Sequence, residues 1–492
     1  MNSYLKLKKI FNEASINSDI AGILHWDMST MMPEFSRKQR AEQLAYLSKL
    51  SHDKIASREV ADLILNAKKE KLEKKDISNL REMEREHKFS VSLPIDLVQQ
   101  ISRISAKCEG EWQEAREKSD FKIVSNTLNE LINLNKQEAK ILGEVFNCSP
   151  YEALINKFEP SSNLSFISDV FEDLQNYLTP LIDIIIDKQK SEAVLPLHTK
   201  IDEFTQKKIA EHIMNSVGFD FKRGRLDKSI HPFCGGSTND VRITTRYNIE
   251  NPLSSLDGVM HETGHALYEL NLPEEWAHQP VGKSRGMAMH ESQSLLIEMQ
   301  ITRSLAFKKY LSDLLKNKFK ISGESFSFDN LYKLGTRVKK SYIRVESDEV
   351  TYPLHIILRF NLEKRIFNNE IKVDDIPVVW NDEYKKLFNI NIKKDSEGCL
   401  QDVHWYAGLF GYFPTYSLGA LTAAQFANKL RNELPLLDND IENGHFSNLT
   451  NWLKINVHKK ASFYSTNAVL EQVTNSSLNA KYFKDYINNR YL

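Results

Sequence analysis

A mainly α-helical chain with one small patch of sheet is what this sequence predicts, and three observations carry the prediction. Apolar residues recur at helical spacing along most of the 492 residues. One segment, Asp240 to Tyr247, alternates apolar and polar residues as a half-buried strand does. Just after it comes His261-Glu262-Thr263-Gly264-His265, in which two histidines stand one helical turn apart and leave the same face.

Taken in order, residues 1–70 read as helices. Leu44, Leu47 and Leu50 form an apolar stripe, with Glu42, Lys49 and Asp53 on the solvated side. His25-Trp26-Asp27 leads into Met31-Met32-Pro33, a helix–loop junction in which Trp26 and Met31 are expected in the core. The stretch from Lys68 to Lys88 mixes both charges around Leu72, Ile77, Leu80 and Met83 and reads as an exposed helical hairpin. Leu93-Pro94 starts further helices that run to residue 147. Ser149-Pro150 and Glu159-Pro160 punctuate the chain before a helix ending near Gln189. His231 to Gly236 reads as a loop, followed by the strand. Asn251-Pro252 turns the chain, and Ser254 or Ser255 is the expected cap of the histidine helix. A strand in this position offers its edge to an extended peptide. The histidine helix runs to about Leu270 before Pro273, and another helix begins near Gly286. No repeat or linker divides the chain. It reads as one unit, with a helical part over 1–228, a core over 229–420 and packing helices over 421–492.

Composition narrows the function classes. The net charge is −1, so no basic surface points to nucleic acid. The apolar run from Leu178 to Ile186 is broken by Pro180 and Asp183, too short to span a bilayer, and no secretory leader is legible at the N-terminus. Cys108, Cys148, Cys234 and Cys399 are widely spaced, which fits a reducing, cytoplasmic setting.

The histidine string carries the chemistry. Two imidazoles at this spacing can hold one zinc ion, and Glu262 can take the proton of a water on the metal. A hydrolytic zinc site wants a third protein ligand. A histidine six residues after His265 is ruled out, because Asn271 stands there. The candidates are Glu269, Glu274, Glu275, Glu291 and Glu298, with His290 as a competitor. Glu291 sits beside small residues that permit close approach, whereas Glu269 shares the histidine helix and points elsewhere.

Other motifs extend the pattern. His231-Pro232-Phe233, Asp240/Arg242/Thr244, His290-Glu291-Ser292-Gln293, Gly398/Gln401/Asp402/His404/Trp405 and Gly411-Tyr412-Phe413-Pro414-Thr415-Tyr416 occur in this order, with Trp26-Asp27 and Met32-Pro33 near the start. Together they resemble the Taq-type thermostable metallocarboxypeptidases from about residue 20 to 420. The match departs at Ile343-Arg344-Val345-Glu346-Ser347-Asp348, with serine in place of alanine, and at Glu159-Pro160-Ser161, which lacks a glycine. The resemblance implies a zincin-like helical metallopeptidase with a small sheet beside the active-site helix, a deep substrate groove, one catalytic unit and a homodimer. It also implies release of C-terminal residues from peptides with broad preference.

On that basis His261, His265 and Glu291 are expected to hold one Zn2+ per chain, for which Co2+ can substitute. Glu262 is the expected base. Tyr412 is the expected donor to the oxyanion, with His231 and His404 holding substrate carbonyls. Arg344 is expected to bind the free C-terminal carboxylate, steadied by Asp348 and Glu349, with Arg242, Arg246 and Arg359 as alternatives. Asp402 reads as a helix cap, and Asp240–Arg242 as a structural ion pair. Two rival classes are a zinc oligoendopeptidase and a non-catalytic helical scaffold. The partners expected are peptides with a free C-terminus, and neither nucleic acid nor membrane.

Overall fold

The computed structural model describes residues 2–197, 200–229 and 231–492. Helix α1 (Ser3–Thr30) starts where the Asn2 side chain accepts a hydrogen bond from the Leu5 amide. It turns back at Glu34–Ser36 onto α2 (Arg37–Ile55). Leu44, Leu47 and Leu50 are half-buried, and α2 has no fully buried residue. The first half of α1 packs with α3 (Arg58–Ala67) and α4 (Lys74–Ser92) around Tyr4, Leu7, Phe11, Val60, Leu63, Ile64, Leu80 and Met83. The stretch 68–88 is therefore a turn followed by one helix, and Leu80 and Met83 are core residues. Its alternating charges masked an amphipathic face. Trp26 is buried as expected, but Met31 is 58% exposed, because α1 ends there and nothing packs across it.

The main core begins with α5 (Ile95–Lys118) and α6 (Lys122–Phe146). It continues through α7 (Pro150–Phe158), α8 (Leu164–Gln189) and α9 (Glu203–Ser216). The sheet follows: β1 (Gly224–Lys228), β2 (Cys234–Ser237) and β3 (Asp240–Thr245), in the order β1-β3-β2. β1 runs parallel to β3 and β2 antiparallel to it. Three expectations change here. The sheet begins at Gly224, inside the part read as helical. The glycines of Cys234-Gly235-Gly236 lie in a strand rather than a loop. The predicted strand ends at Thr245 and is central, so the edges of the sheet belong to β1 and β2. Trp26 is held against this sheet between the guanidinium groups of Arg225 and Arg242, 4.5 and 4.4 Å from its ring.

Helix α10 (Pro252–Leu270) carries the histidine string. Its cap is Asn251, which accepts from the Ser254 amide; Ser255 is used elsewhere, accepting from the Asn248 amide. Helix α11 (Met287–Leu295) returns antiparallel to α10 and widens into a π turn over Leu296–Thr302. Then come α12 (Leu305–Asn317), α13 (Phe328–Gly335), α14 (Tyr352–Phe367) and α15 (Ile376–Phe388). After an irregular stretch, α16 (Pro414–Glu433) crosses the residue-420 boundary read from sequence. α17 (Leu437–Glu442), α18 (Ser447–Asn456), α19 (Thr466–Thr474) and α20 (Lys481–Tyr491) complete the chain. Among the described residues no helix is long and apolar enough to cross a membrane.

Two glycines set the spacing around α11. A Cβ on Gly264 would overlap the Gln293 carbonyl and lie 2.6 Å from the Ser294 Cα; one on Gly419 would lie 2.7 Å from the Glu291 Cβ. Helix α11 is thus in backbone contact with α10 and pressed by α16. Gly264→Ala is expected to force α10 and α11 apart, at a cost of about 1–3 kcal/mol for overpacking a tight contact. Thermal denaturation of the variant measures this, and an unchanged melting temperature would show that the two helices have slack.

Candidate active site

The antiparallel run of α10 and α11 decides which side chains meet. His261 Nε2 lies 3.9 Å from Glu291 Oε1, and His265 Nε2 lies 3.4 Å from Glu291 Oε2. One ligand atom from each of the three residues falls within 4.8 Å of the others. Each histidine is held from behind. His261 Nδ1 is 2.8 Å from Glu298 Oε2, and Arg303 Nη2 donates to the other Glu298 oxygen at 2.6 Å. A carboxylate only accepts, so His261 Nδ1 carries a hydrogen and Nε2 is the nitrogen left to give a lone pair to a cation that displaces its proton.

The same logic orients His265. Its Nδ1 lies 3.1 Å from the His290 carbonyl and 2.6 Å from His290 Nδ1. His290 Nε2 faces Glu269 Oε1 at 2.8 Å. Glu269 accepts from His290 Nε2, His290 Nδ1 accepts from His265 Nδ1, and His265 Nε2 is left free. His290, Glu269 and Glu298, candidates for the third ligand, are therefore committed to the outer nitrogens, and Glu291 alone of the candidates joins the inner ones. Glu274 lies apart, accepting from Asn239, and Glu275 is exposed.

Charge in the pocket fits a divalent cation. Burial works against the His261 imidazolium, but Glu291, Glu298 and Glu262 outweigh it and push the group up to about 10. The pocket thus favours a positive charge, which a metal supplies. Burial takes His265 down to about 4, so its Nε2 is a neutral donor. Burial raises the Glu262 carboxyl to about 7. Glu298 is carried down to about 2, because Arg303 and His261 overcome its burial.

Around this pocket, Tyr412 packs edge-on against Phe158 and Tyr416, with ring centroids 5.0 and 5.3 Å away. Burial first, then the fields of Glu291 and Glu262, push its hydroxyl up, so it stays a proton donor. His404 Nε2 lies 3.0 Å from the Tyr416 hydroxyl, its Nδ1 is buried without a partner, and burial carries the ring down to about 4. His231 does not join them. Its ring is exposed and makes no hydrogen bond or ring contact among the described residues. Its carbonyl accepts from Ser229 Oγ, while Thr244 Oγ1 accepts from the Phe233 amide, so Thr244 serves to fix this turn.

Arg344 is buried and forked onto Asp402, with Nη2 2.8 Å from Oδ1 and Nε 3.1 Å from the same oxygen. Its guanidinium lies 4.9 Å from the Tyr416 ring. Arg359 Nε donates to Asp402 Oδ2 at 2.7 Å. Asp402 is thus no helix cap but a carboxylate shared by two buried arginines, which leaves the cluster one positive charge in excess. The predicted support of Arg344 by Asp348 and Glu349 is not found. Asp348 accepts from the Lys339, Val350 and Thr351 amides, and Glu349 pairs with Arg490. Arg242 is committed to Asp240 at 2.8 Å, the ion pair expected, and Arg246 is exposed. Sequence reasoning missed Tyr416, although it lies in a matched motif. It also missed Arg303 and Arg490, for which no local signal exists.

Comparison with known proteins settles the family. Residues 6–491 match the family described as Carboxypeptidase Taq (M32) metallopeptidase. The chain belongs to the M32 carboxypeptidases. It is 33% identical to carboxypeptidase 1 of Bacillus subtilis over 477 residues, 96% of this chain and 95% of that one. Its structure superposes on metallocarboxypeptidase 1 of Trypanosoma cruzi with a TM-score of 0.97 and 36% identity over 99% of both chains. For the Pyrococcus furiosus carboxypeptidase the TM-score is 0.95 at 31% identity, over 100% of this chain and 99% of that one. As an M32 member the protein is a metallocarboxypeptidase, a divalent-metal enzyme acting on peptides, and the scaffold and endopeptidase alternatives fall away.

Proposed function

We propose that His261, His265 and Glu291 hold one zinc ion, for which cobalt can substitute, and that the enzyme trims C-terminal residues from peptides with broad preference. The convergence of two inward Nε2 atoms and one carboxylate within 4.8 Å carries this reading. A bound divalent cation supplies Lewis acidity toward the scissile carbonyl and acidifies water. Glu262, next to His261 on α10 and raised to about 7, takes a proton from the attacking water and returns it to the leaving amide nitrogen. The water oxygen first adds to the carbonyl carbon, and the C–N bond breaks as that tetrahedral adduct collapses. The Tyr412 hydroxyl donates to the carbonyl oxygen as it becomes negative. His404 positions Tyr416 beside Tyr412, and His231 reaches substrate from the exposed turn before β2.

Arg344 is the anchor for the terminal carboxylate. The excess positive charge it shares with Arg359 around Asp402 supports this, and an anion beside it balances the count. Substrate lies in a groove along the free edge of β2, whose Cys234 thiol is pushed up by burial and by the nearby carboxylates of Glu262 and Glu269. The four cysteines are free, in keeping with a cytoplasmic enzyme, and the working form in this reading is a homodimer of single-unit chains.

Zinc titration against a chelator tests the ligand set. Glu291→Ala is expected to lose nearly all affinity, and His290→Ala to lose about tenfold, because it only orients His265. The opposite order would make His290 the ligand. Glu262→Gln is expected to keep its zinc and lose at least a hundredfold in kcat, the usual worth of a general base; loss of the metal from this variant would make Glu262 a structural residue instead.

The terminal anchor is read from peptides. Free-acid peptides should give a ladder of C-terminal losses by mass spectrometry, and the same peptides with a C-terminal amide should remain whole. Arg344→Lys keeps the charge on Asp402 but loses the fork, and should lower kcat/KM on free acids by about tenfold to a hundredfold, the worth of a charged hydrogen bond. Wild-type rates on free acids would move the anchor to another group.

A further inference from the structure

The outer support of His261 does not end at Arg303. Arg303 Nε lies 3.9 Å from Glu349 Oε1 and has no hydrogen-bond partner of its own. Glu349 is fully buried. It accepts from Arg490 Nη1 at 3.0 and 3.1 Å and from the Tyr491 hydroxyl at 2.7 Å, both on α20. Charges of alternating sign thus run from the metal pocket to the last helix: Glu298, Arg303, Glu349, Arg490. Their side chains are 14, 12, 0 and 9% exposed. In so dry a place each charge depends on its neighbours, and removing one leaves the next uncompensated.

The same helix also reaches the backbone beside Glu298, through Arg490 Nη1 again and through Tyr486. Glu298 stands in the π turn Leu296–Thr302. Widening a helix displaces carbonyls from its hydrogen-bond ladder, and these need outside donors. The Met299 carbonyl, next to Glu298, accepts from Arg490 Nη1 at 2.8 Å and from the Tyr486 hydroxyl at 3.3 Å. Arg431 Nη2 donates to the Gln300 carbonyl at 3.2 Å. Helix α20 therefore grips the backbone that bears Glu298 as well as the charges behind it.

We infer that Arg490, with Glu349, is a positioning residue for the metal: α20 holds Glu298 against His261 and so sets the affinity of the site. The inference rests on His261 being a ligand, and it goes beyond that reading by assigning a metal-tuning role to a helix that touches neither ligand nor substrate.

Competition of the full-length protein with a chelating indicator for zinc alone is the test. Glu349→Gln and Arg490→Gln should each weaken zinc about tenfold or more, the usual loss when a ligand's outer partner is removed. Arg490→Lys, which keeps the charge, should recover much of that loss. Lys188→Gln loosens the same helix elsewhere, at the Tyr491 and Leu492 carbonyls, and should bind zinc as the wild type does. A purely structural role would lower melting of the metal-free and zinc-loaded proteins equally; positioning shrinks the rise in melting temperature that zinc produces. Wild-type zinc affinity in Glu349→Gln, the near-isosteric change, overturns the inference even if Arg490→Gln does not fold. His261→Ala separates the two levels. If it abolishes binding while Glu349→Gln binds normally, the ligand set stands and the role of α20 falls; if it binds zinc normally, both fall.

Discussion

Everything in the metal pocket depends on two helix backbones touching. α10 and α11 run antiparallel with Gly264 at their crossing, where a side chain would meet the Gln293 carbonyl and the Ser294 Cα. Only at that separation do the two Nε2 atoms and the Glu291 carboxylate fall within 4.8 Å. Gly419 of α16 applies the same constraint from the opposite side, against the Glu291 Cβ. The pocket is the residue of close packing on both faces of α11, and the ligand geometry is inherited from it.

Electrostatics then decides what each nitrogen does. The imidazoles would be ambiguous donors or acceptors if left to themselves. Glu298 and the His290–Glu269 pair remove the ambiguity by taking the Nδ1 hydrogens. The same economy appears at Asp402, where one carboxylate serves two guanidinium groups and leaves a local surplus of positive charge. Burying charge is costly, and the set of Arg344, Arg359 and Asp402, which carries a surplus, lies beside the ring of Tyr416.

Local chemistry was legible and distant chemistry was not. The spacing of His261 and His265, the stop at Pro273 and the restart at Gly286 were readable because each is written within one turn of chain. Asn251 displaced Ser254 and Ser255 as the cap, a choice among equivalent side chains that only backbone direction resolves. The strand at Cys234–Ser237 was hidden by its glycines, whose intrinsic preference is overridden by pairing with β3. Asp402 looked like a cap because its partners, Arg344 and Arg359, are far away in sequence. Glu298 could be proposed as a ligand but not as the partner of Nδ1. In a regular helix it follows Glu291 by two turns on the same face, about 10 Å along the axis, and which histidine nitrogen it meets is set by α10.

The contacts of α20 also impose an order on the making of the enzyme. Arg490 follows His261 by more than two hundred residues, and a ribosome adding roughly 5–20 residues per second needs tens of seconds to bridge that interval. Until α20 emerges, the Met299 carbonyl has no donor from Arg490 or Tyr486, and Glu349 lacks its guanidinium. A nascent chain that already exposes both histidines therefore still lacks the scaffold behind them.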